Sequence, residues 1–437
     1  MKKYFIFAAA ALVALAACTK VETDPQTSPD IKIGYQVASY VSQTKAGEGH
    51  SFLTELSSLG VAASDQVFKS MAYIHADNGA GGTADPVQFF TAGTSGVEVI
   101  SWNSTANEWA PAHTYYWPKS FRSNIDFFSW YDMAGTDPTI SFVSPFSSVN
   151  MAWANRGVAF KDNVMWADAA WHYKGNEQTY QKDASSVEGV PTLFHHALAQ
   201  LRFTIKQNPM KEEDSKNSGN YTFWEVKLNG VSIAANTVHN NGDLSLTQAA
   251  KAEKGVQAWT KPANDVWANA SSPAYATLDG TTVFNTSLAK GTDGTNDVYL
   301  TNSEQYLTVD TNMPNNYFTV RPQDIANGVT ITFTYTIKTW YGTETEYAKT
   351  NHGNCNLVST ETVNVNDLGP AVANAGAPYT NTGIQLNAIS GAWERWQMNK
   401  MYTYKLIINP SSEKILYDPA VEDWAADVNA TQTIPHA

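Results

Sequence analysis

"VTITFTYTIKT", residues 329–339, decides the fold class. Val329, Ile331, Phe333, Tyr335 and Ile337 fall on one face of an extended chain, and Thr330, Thr332, Thr334, Thr336 and Lys338 on the other. A half-buried strand requires this period of two, whereas a helix would scatter the same side chains around its circumference. "IKIGYQVASYV" (31–41) repeats the pattern, with Ile31, Ile33, Tyr35, Val37 and Val41 on one face and Lys32 and Gln36 on the other. Shorter versions run through "VFKSMAYI" (67–74), "VEVISW" (97–102), "NIDFFSWY" (124–131), "LRFTIK" (201–206), "YTFWEVKL" (221–228) and "MYTYKLII" (401–408). Gly, Pro, Asn and Asp separate them. Many short strands without long amphipathic helices predict an all-β chain of antiparallel sandwiches. "FLTELSSLG" (52–60) has room for one helical turn.

At 437 residues the chain is too long for one ordinary core, which points to two or more domains. A boundary is expected near residue 190, where "SSVEGVP" gives way to a strand-like run beginning at Leu193, so that 31–190 and 191–437 form an N-terminal and a C-terminal sandwich. The region from about 240 to 325 reads as loop-rich surface connections.

The first residues have a different character. Lys2 and Lys3, the apolar run Tyr4–Leu15 and "LAAC" (15–18) compose a secretion signal over 1–17. Leu15-Ala16-Ala17-Cys18 resembles the lipobox of bacterial lipoproteins, which implies cleavage before Cys18 and lipidation of that cysteine. Each buried methylene of a lipid chain contributes about 0.8 kcal/mol, so a multiply acylated Cys18 would hold the protein on a membrane without a spanning helix. Residues 18–30, rich in Pro, Thr and acids, read as a flexible spacer. The second cysteine of the chain, Cys355, then has no thiol partner.

The 28 basic residues less Lys2 and Lys3 leave 26 against 41 acidic ones, a net −15 after signal removal. Phosphate contacts need clustered Lys and Arg, so nucleic acid is not an expected partner. Catalytic and metal motifs are equally lacking, with no GxSxG, HExxH, P-loop or dinucleotide glycine pattern. His195 and His196 are adjacent on a strand and point to opposite faces, so packed or hydrogen-bonded histidines are expected. His172 and Cys355 lack ligand partners at a metal spacing. "GTDGTNDVY" (291–299) and "NNGDLS" (240–245) miss the calcium-loop spacing and read as solvated turns. Glu422 and Asp423 sit in a polar stretch and make no specific acid pair. No catalytic residue, cofactor or metal is expected, and the chain does not read as an enzyme.

The lipobox, "YYWPKSFRSNIDFFSWYDM" (115–133), "PTLFHHALAQLRFTIK" (191–206) and the order of lipid signal, early strand, two β-rich halves and terminal strand together resemble the Bacteroidales fimbrillins, the subunit class of type V pili. The resemblance implies two transthyretin-like sandwiches in tandem and a precursor carried to the outer membrane as a lipoprotein. It also implies removal of the N-terminal strand by a protease and filling of the vacated groove by a neighbour's strand, an instance of β-augmentation. The implied partners are other pilin subunits, with the outer membrane held through the lipid. "WAADVNATQTI" (424–434) alternates Trp424, Ala426, Val428, Ala430 and Ile434 with polar or small residues and is the expected donor strand.

Lys45, in "SQTKAGEGHSFL" (42–53), lies just after the first strand where the family is processed, and Gly47 and Gly49 make the segment accessible. The family's best-known processing enzyme is arginine-specific, and no arginine precedes Arg122. Either a lysine-tolerant protease acts here or the strand stays, which would suit an anchor, cap or surface adhesin. The alternative function is a monomeric adhesive or glycan-binding lipoprotein, with host or bacterial surface glycans or proteins as partners. Among the 14 tryptophans, "GAWERWQ" (391–397) places Trp393 and Trp396 in an expected exposed loop suited to stacking on sugars, and "WAPAHTYYW" (109–117) is a second aromatic stretch.

Overall fold

The computed structural model describes residues 32–39, 52, 56–57, 61–76, 86–105, 108–118, 123–143, 146–159, 162–173, 189–233, 239–251, 253–274, 299–306, 317–324, 330–365, 384–385, 395–411 and 414–423. It is all-β. In chain order the first strands are β1 (Tyr35–Ser39), β2 (Val67–Ala76), β3 (Val87–Gln88), β4 (Glu98–Asn103), β5 (Glu108–Pro111), β6 (Ser123–Asp132), β7 (Thr139–Val143), β8 (Ser148–Gly157), β9 (Val164–Ala167), β10 (Ala169–Tyr173) and β11 (Val190–His196). There follow β12 (Ala199–Gln207), β13 (Lys211–Glu213), β14 (Tyr221–Ile233), β15 (His239–Ala249), β16 (Gly255–Gln257), β17 (Ala268–Ala274), β18 (Gln305–Tyr306), β19 (Tyr317–Val320) and β20 (Gln323–Asp324). The last are β21 (Thr330–Gly342), β22 (Asn356–Val365), β23 (Ile384–Gln385), β24 (Arg395–Trp396), β25 (Lys400–Asn409) and β26 (Lys414–Asp423).

Seven of the first eleven strands close into a barrel-like ring in the order β2, β6, β9, β11, β1, β5, β4 and back to β2. Closure leaves these strands no free edge. The ring encloses an aromatic core that includes Tyr35, Phe68, Trp109, Phe127 and Phe194. A second sheet, ordered β17-β15-β8-β7, covers the outside of the ring. Between the two layers lies a separate core containing Phe128, Trp130, Trp153, Trp171, Leu244, Leu246 and Trp259. β6 shows why "NIDFFSWY" is so apolar: Ile125, Phe127 and Tyr131 face into the ring, while Phe128 and Trp130 face the covering sheet. A strand buried on both faces needs no polar side.

The covering sheet corrects the loop-rich reading of the region after residue 240. "NNGDLS" lies in β15, paired with β8 and β17, and is no solvated turn. Its Asp243 accepts the Asn155 N–H at 2.6 Å and the Asn269 amide at 2.8 Å. Gly242 stands where an added Cβ would lie 2.2 Å from Arg321 Nε, so the glycine marks a close approach within the strand. Pairing also crosses the expected boundary at 190. β11 belongs to the ring, and β15 and β16 return from the later chain to pair with β8 and β10. Sheet partners distant in sequence leave no trace in local composition.

The remaining strands build two further sheets. One is ordered β18-β12-β25-β26 with β19 on β12, and the other β13-β14-β21-β22 with β23 on β21. In β21 the residues Tyr335 and Ile337 are buried while Thr336 and Lys338 are half-buried, so the expected alternation holds where the strand's side chains are described. Across β14 they meet Leu228 and Val226, both buried. Gln207, wholly buried on β12, ties one sheet to the other: its Nε2 donates to the Trp224 carbonyl at 2.6 Å and its Oε1 accepts the Val226 N–H at 3.1 Å. The sheets are not purely antiparallel, since β1 runs parallel to β11 and β12 parallel to β25. Each parallel pair joins segments far apart in sequence, as parallel pairing requires a crossover.

Candidate functional site

The site with functional promise is the seat of β1. This strand lies between β11, which it pairs in parallel from Tyr35↔Val190 to Ser39↔Phe194, and β5, which it meets at Tyr35↔Trp109. The Val190 N–H donates to the Gly34 carbonyl at 2.8 Å, and the Ile33 N–H donates to the Tyr115 carbonyl at 2.9 Å. Ile33, Tyr35 and Val37 are each 2% exposed, whereas Lys32 and Gln36 are exposed, as the alternation in 31–41 predicts. The Tyr35 ring meets Phe68 edge-on at 5.5 Å and Phe127 at 6.0 Å. Burying three such side chains contributes roughly 5–9 kcal/mol before the entropy of ordering is counted.

The neighbouring chain is shaped to admit this backbone. A Cβ on Gly189 would lie 2.4 Å from the Tyr35 carbonyl carbon and 2.6 Å from the Gln36 nitrogen. Only glycine leaves that space to β1. The other flank is fixed by a polar cluster: buried Glu98 accepts the Tyr115 hydroxyl at 2.7 Å and lies 3.1 Å from His113 Nδ1. Burial, and then the hydrogen bond to Glu98, push the Tyr115 hydroxyl above its ordinary pKa. Tyr115 also accepts the Ala92 N–H at 3.0 Å, so the segment that receives Ile33 is held from two sides.

Two core residues follow β1 closely in the chain. Phe52 and Leu56, the i and i+4 positions of the turn in "FLTELSSLG", are fully buried in the ring. Phe52 stacks on Phe194 at 4.5 Å and meets Trp109 at 5.7 Å. The sequence leaves room for the turn but does not show that Phe52 and Leu56 enter the ring core.

The other expected site residues divide into those the structure places and those it does not describe. Cys18, Lys45, Trp393 and the tail 424–434 lie outside the described residues. Trp396 contradicts its expected exposure: it is fully buried on β24, paired to Gln323 of β20. Its neighbour Arg395 meets Asp324 at 3.2 Å on the outer side, so the alternation of this short pair turns the indole inward. Such a ring has no face to offer a sugar. His195 and His196 do point apart, the first reaching Asp168 at 3.0 Å and the second Asn163 at 3.1 Å. The His172 ring meets the Lys251 carbonyl, and the His172 backbone N–H donates to Asp126 at 2.8 Å. Half-buried Cys355 lies 3.8 Å from the Thr343 carbonyl, with its thiol pKa raised by burial and by Glu346. Among the described residues no group of three or more His, Cys, Asp or Glu side chains is placed to hold a metal ion.

No family model matches the sequence, and no curated protein matches it. Its structural neighbours are fimbrial and cell-adhesion proteins of the Bacteroidales. A fimbrial protein from Bacteroides vulgatus is 15% identical, with 90% of this chain and 99% of that one covered and a TM-score of 0.48. A protein assigned to cell adhesion from Bacteroides uniformis is 12% identical over 91% of this chain and 99% of its own, with a TM-score of 0.36. The tip fimbrial protein Mfa3 from Porphyromonas gingivalis, truncated at its C-terminus, is 8% identical over 82% of this chain and 94% of its own, with a TM-score of 0.27.

Proposed function

We propose that this chain is a structural subunit of a cell-surface type V pilus that assembles by strand exchange. In this reading Cys18 carries the lipid that anchors the precursor in the outer membrane, and cleavage at Lys45 severs the first strand from the body. The segment 424–434 of a neighbouring copy or related pilin then occupies the seat, and the two halves of the chain act as the tandem transthyretin-like sandwiches of the fimbrillins. The observation that carries the reading is the construction of the β1 seat. A five-residue strand places Tyr35 and Val37 in a core slot, with Ile33 just before it buried in the same core; the strand pairs with no sequence neighbour and is admitted by Gly189.

Energetics support the need for a cut. While the strand is tethered, its covalent link gives it an effective concentration on the order of millimolar, against which an incoming strand competes poorly. Severing the link removes that advantage and leaves burial to be weighed against the ordering cost of about 1–2 kcal/mol per residue. The replacement strand then needs only the same alternation of side chains to bind.

Limited trypsin digestion of the signal-free protein tests this, with fragments assigned by mass spectrometry and assembly followed as SDS-resistant ladders. Cleavage after Lys45 followed by ladders is expected, as is loss of the ladders when the chain is truncated before Trp424. Ladders that persist in the truncated protein would remove the tail from the donor role. A chain cut after Lys45 that stays monomeric would overturn strand exchange.

A further inference from the structure

Phe52 and Leu56 lie beyond Lys45, on the body's side of the proposed cut, and both are fully buried in the core that Ile33, Tyr35 and Val37 also fill. They are held from the side of β2. The Val61 N–H donates to the Leu56 carbonyl at 3.0 Å. Gln66, next to the first residue of β2, donates through Nε2 to Ser57 Oγ at 2.9 Å and to the Val61 carbonyl at 3.0 Å.

Phe52 touches both walls of the β1 slot. Its ring stacks on Phe194 of β11 at 4.5 Å and meets Trp109 of β5 at 5.7 Å. It also packs edge-on against Phe68 of β2 at 6.0 Å and Tyr131 of β6 at 6.1 Å. Tyr35 reaches the same cluster from the strand side, through Phe68 at 5.5 Å. Neighbouring strands lie about 4.8 Å apart, so β5 and β11, with β1 between them, stand about 10 Å apart. Because β1 is antiparallel to β5 and parallel to β11, these two walls run antiparallel to each other. If β1 left an unsupported slot, their bare N–H and C=O groups would pair across it, and closure would also remove the void left by Tyr35. The closed ring would then have no seat to offer.

We infer that Phe52 is a positioning residue for strand capture, a spacer that keeps β5 and β11 one strand apart after β1 has gone. The inference rests on the strand-exchange reading. Each of the ring contacts of Phe52 named above is to β2, β5, β6 or β11, so all of them survive the loss of β1. The cut at Lys45 then separates two segments with opposite fates: the one before it vacates the slot, and the one after it props the slot open.

The test uses the signal-free protein cut after residue 45 at an inserted site for a sequence-specific protease, mixed with a fluorescently labelled peptide of residues 31–41. Capture is read by fluorescence anisotropy, melting temperature by circular dichroism, and the seating of β1 in the uncut chain by amide exchange. The cut wild-type protein is expected to exchange its own strand for the peptide. Phe52→Ala should lower capture about tenfold or more. The uncut variant, whose strand remains tethered, should keep slow exchange at residues 33–39. Ile125→Ala, at an equally buried position of β6, should lower the melting temperature without lowering capture, which separates positioning from a general loss of core packing. If Phe52→Ala fails to fold, Phe52→Leu decides, because it keeps the core filled but gives up the flat contact with Phe194; its capture should fall below wild type. Capture by the folded Phe52 variants equal to wild type, or an equal loss in Ile125→Ala, would overturn the spacer and leave the pilus reading standing. A cut wild-type protein that never takes up the peptide would overturn strand exchange itself, and the spacer with it.

Discussion

The Tyr341 hydroxyl donates to Asp214 at 2.7 Å, and the Lys216 N–H and the Asn217 amide donate to the same carboxylate. These bonds, the tyrosine's foremost, lower the Asp214 pKa from near 3.8 to about 2. A depressed carboxylate stabilises the fold above its unfolded pKa and loses that contribution as pH falls through the folded value, so the effect fades between about pH 4 and pH 2. Tyr341→Phe is expected to return the Asp214 titration toward ordinary values, measured by NMR of the carboxyl carbon. A second residue-scale test concerns Trp396. Burial predicts that Trp396→Ala destabilises the fold by about 3–5 kcal/mol in chemical denaturation. Its sequence neighbours Glu394 and Arg395 suggest a surface loop, and nothing local betrays the two-residue strand that turns the indole inward. Exposure of single aromatics is decided by partners such as Gln323, more than 70 positions away, and is therefore illegible in a lone sequence.

At the scale of the element, β1 makes the sharpest prediction. Gly189→Val places branched carbons where the Tyr35 and Gln36 backbone now lies, so β1 must shift or leave. Overpacking of this kind costs about 1–3 kcal/mol, and amide exchange should quicken specifically at residues 33–39. An unchanged exchange pattern there would show that the strand is not seated against Gly189. Alternation made this strand legible, as it did β21 and β14, because one face of each is apolar and the other mixed. It failed for β15, where Asn240, Asn241, Gly242 and Asp243 mimic a turn. There the polar side chains are satisfied by a neighbouring strand, with Asp243 bound to Asn155 and Asn269, and Gly242 makes way for Arg321.

For the molecule as a whole, the all-β class follows from period-two segments alone, but their assembly into a ring, a covering sheet and two later sheets does not. The register of β15 on β8 and of β12 on β25 depends on strands separated by long connections. Between the later sheets one tie is a buried polar side chain. Gln207→Leu would leave the Trp224 carbonyl and the Val226 N–H without their buried partner, at a cost of about 2 kcal/mol or more in urea denaturation. The direction of β1 has a larger consequence. It runs with β11 and against β5, so a replacement strand that keeps those pairings enters in one sense only. Contacts made that way are heterologous, joining unlike surfaces of successive copies, and they do not cancel by symmetry. If copies assemble by the proposed exchange, the resulting fibre would have a front and a back and would grow differently at each end.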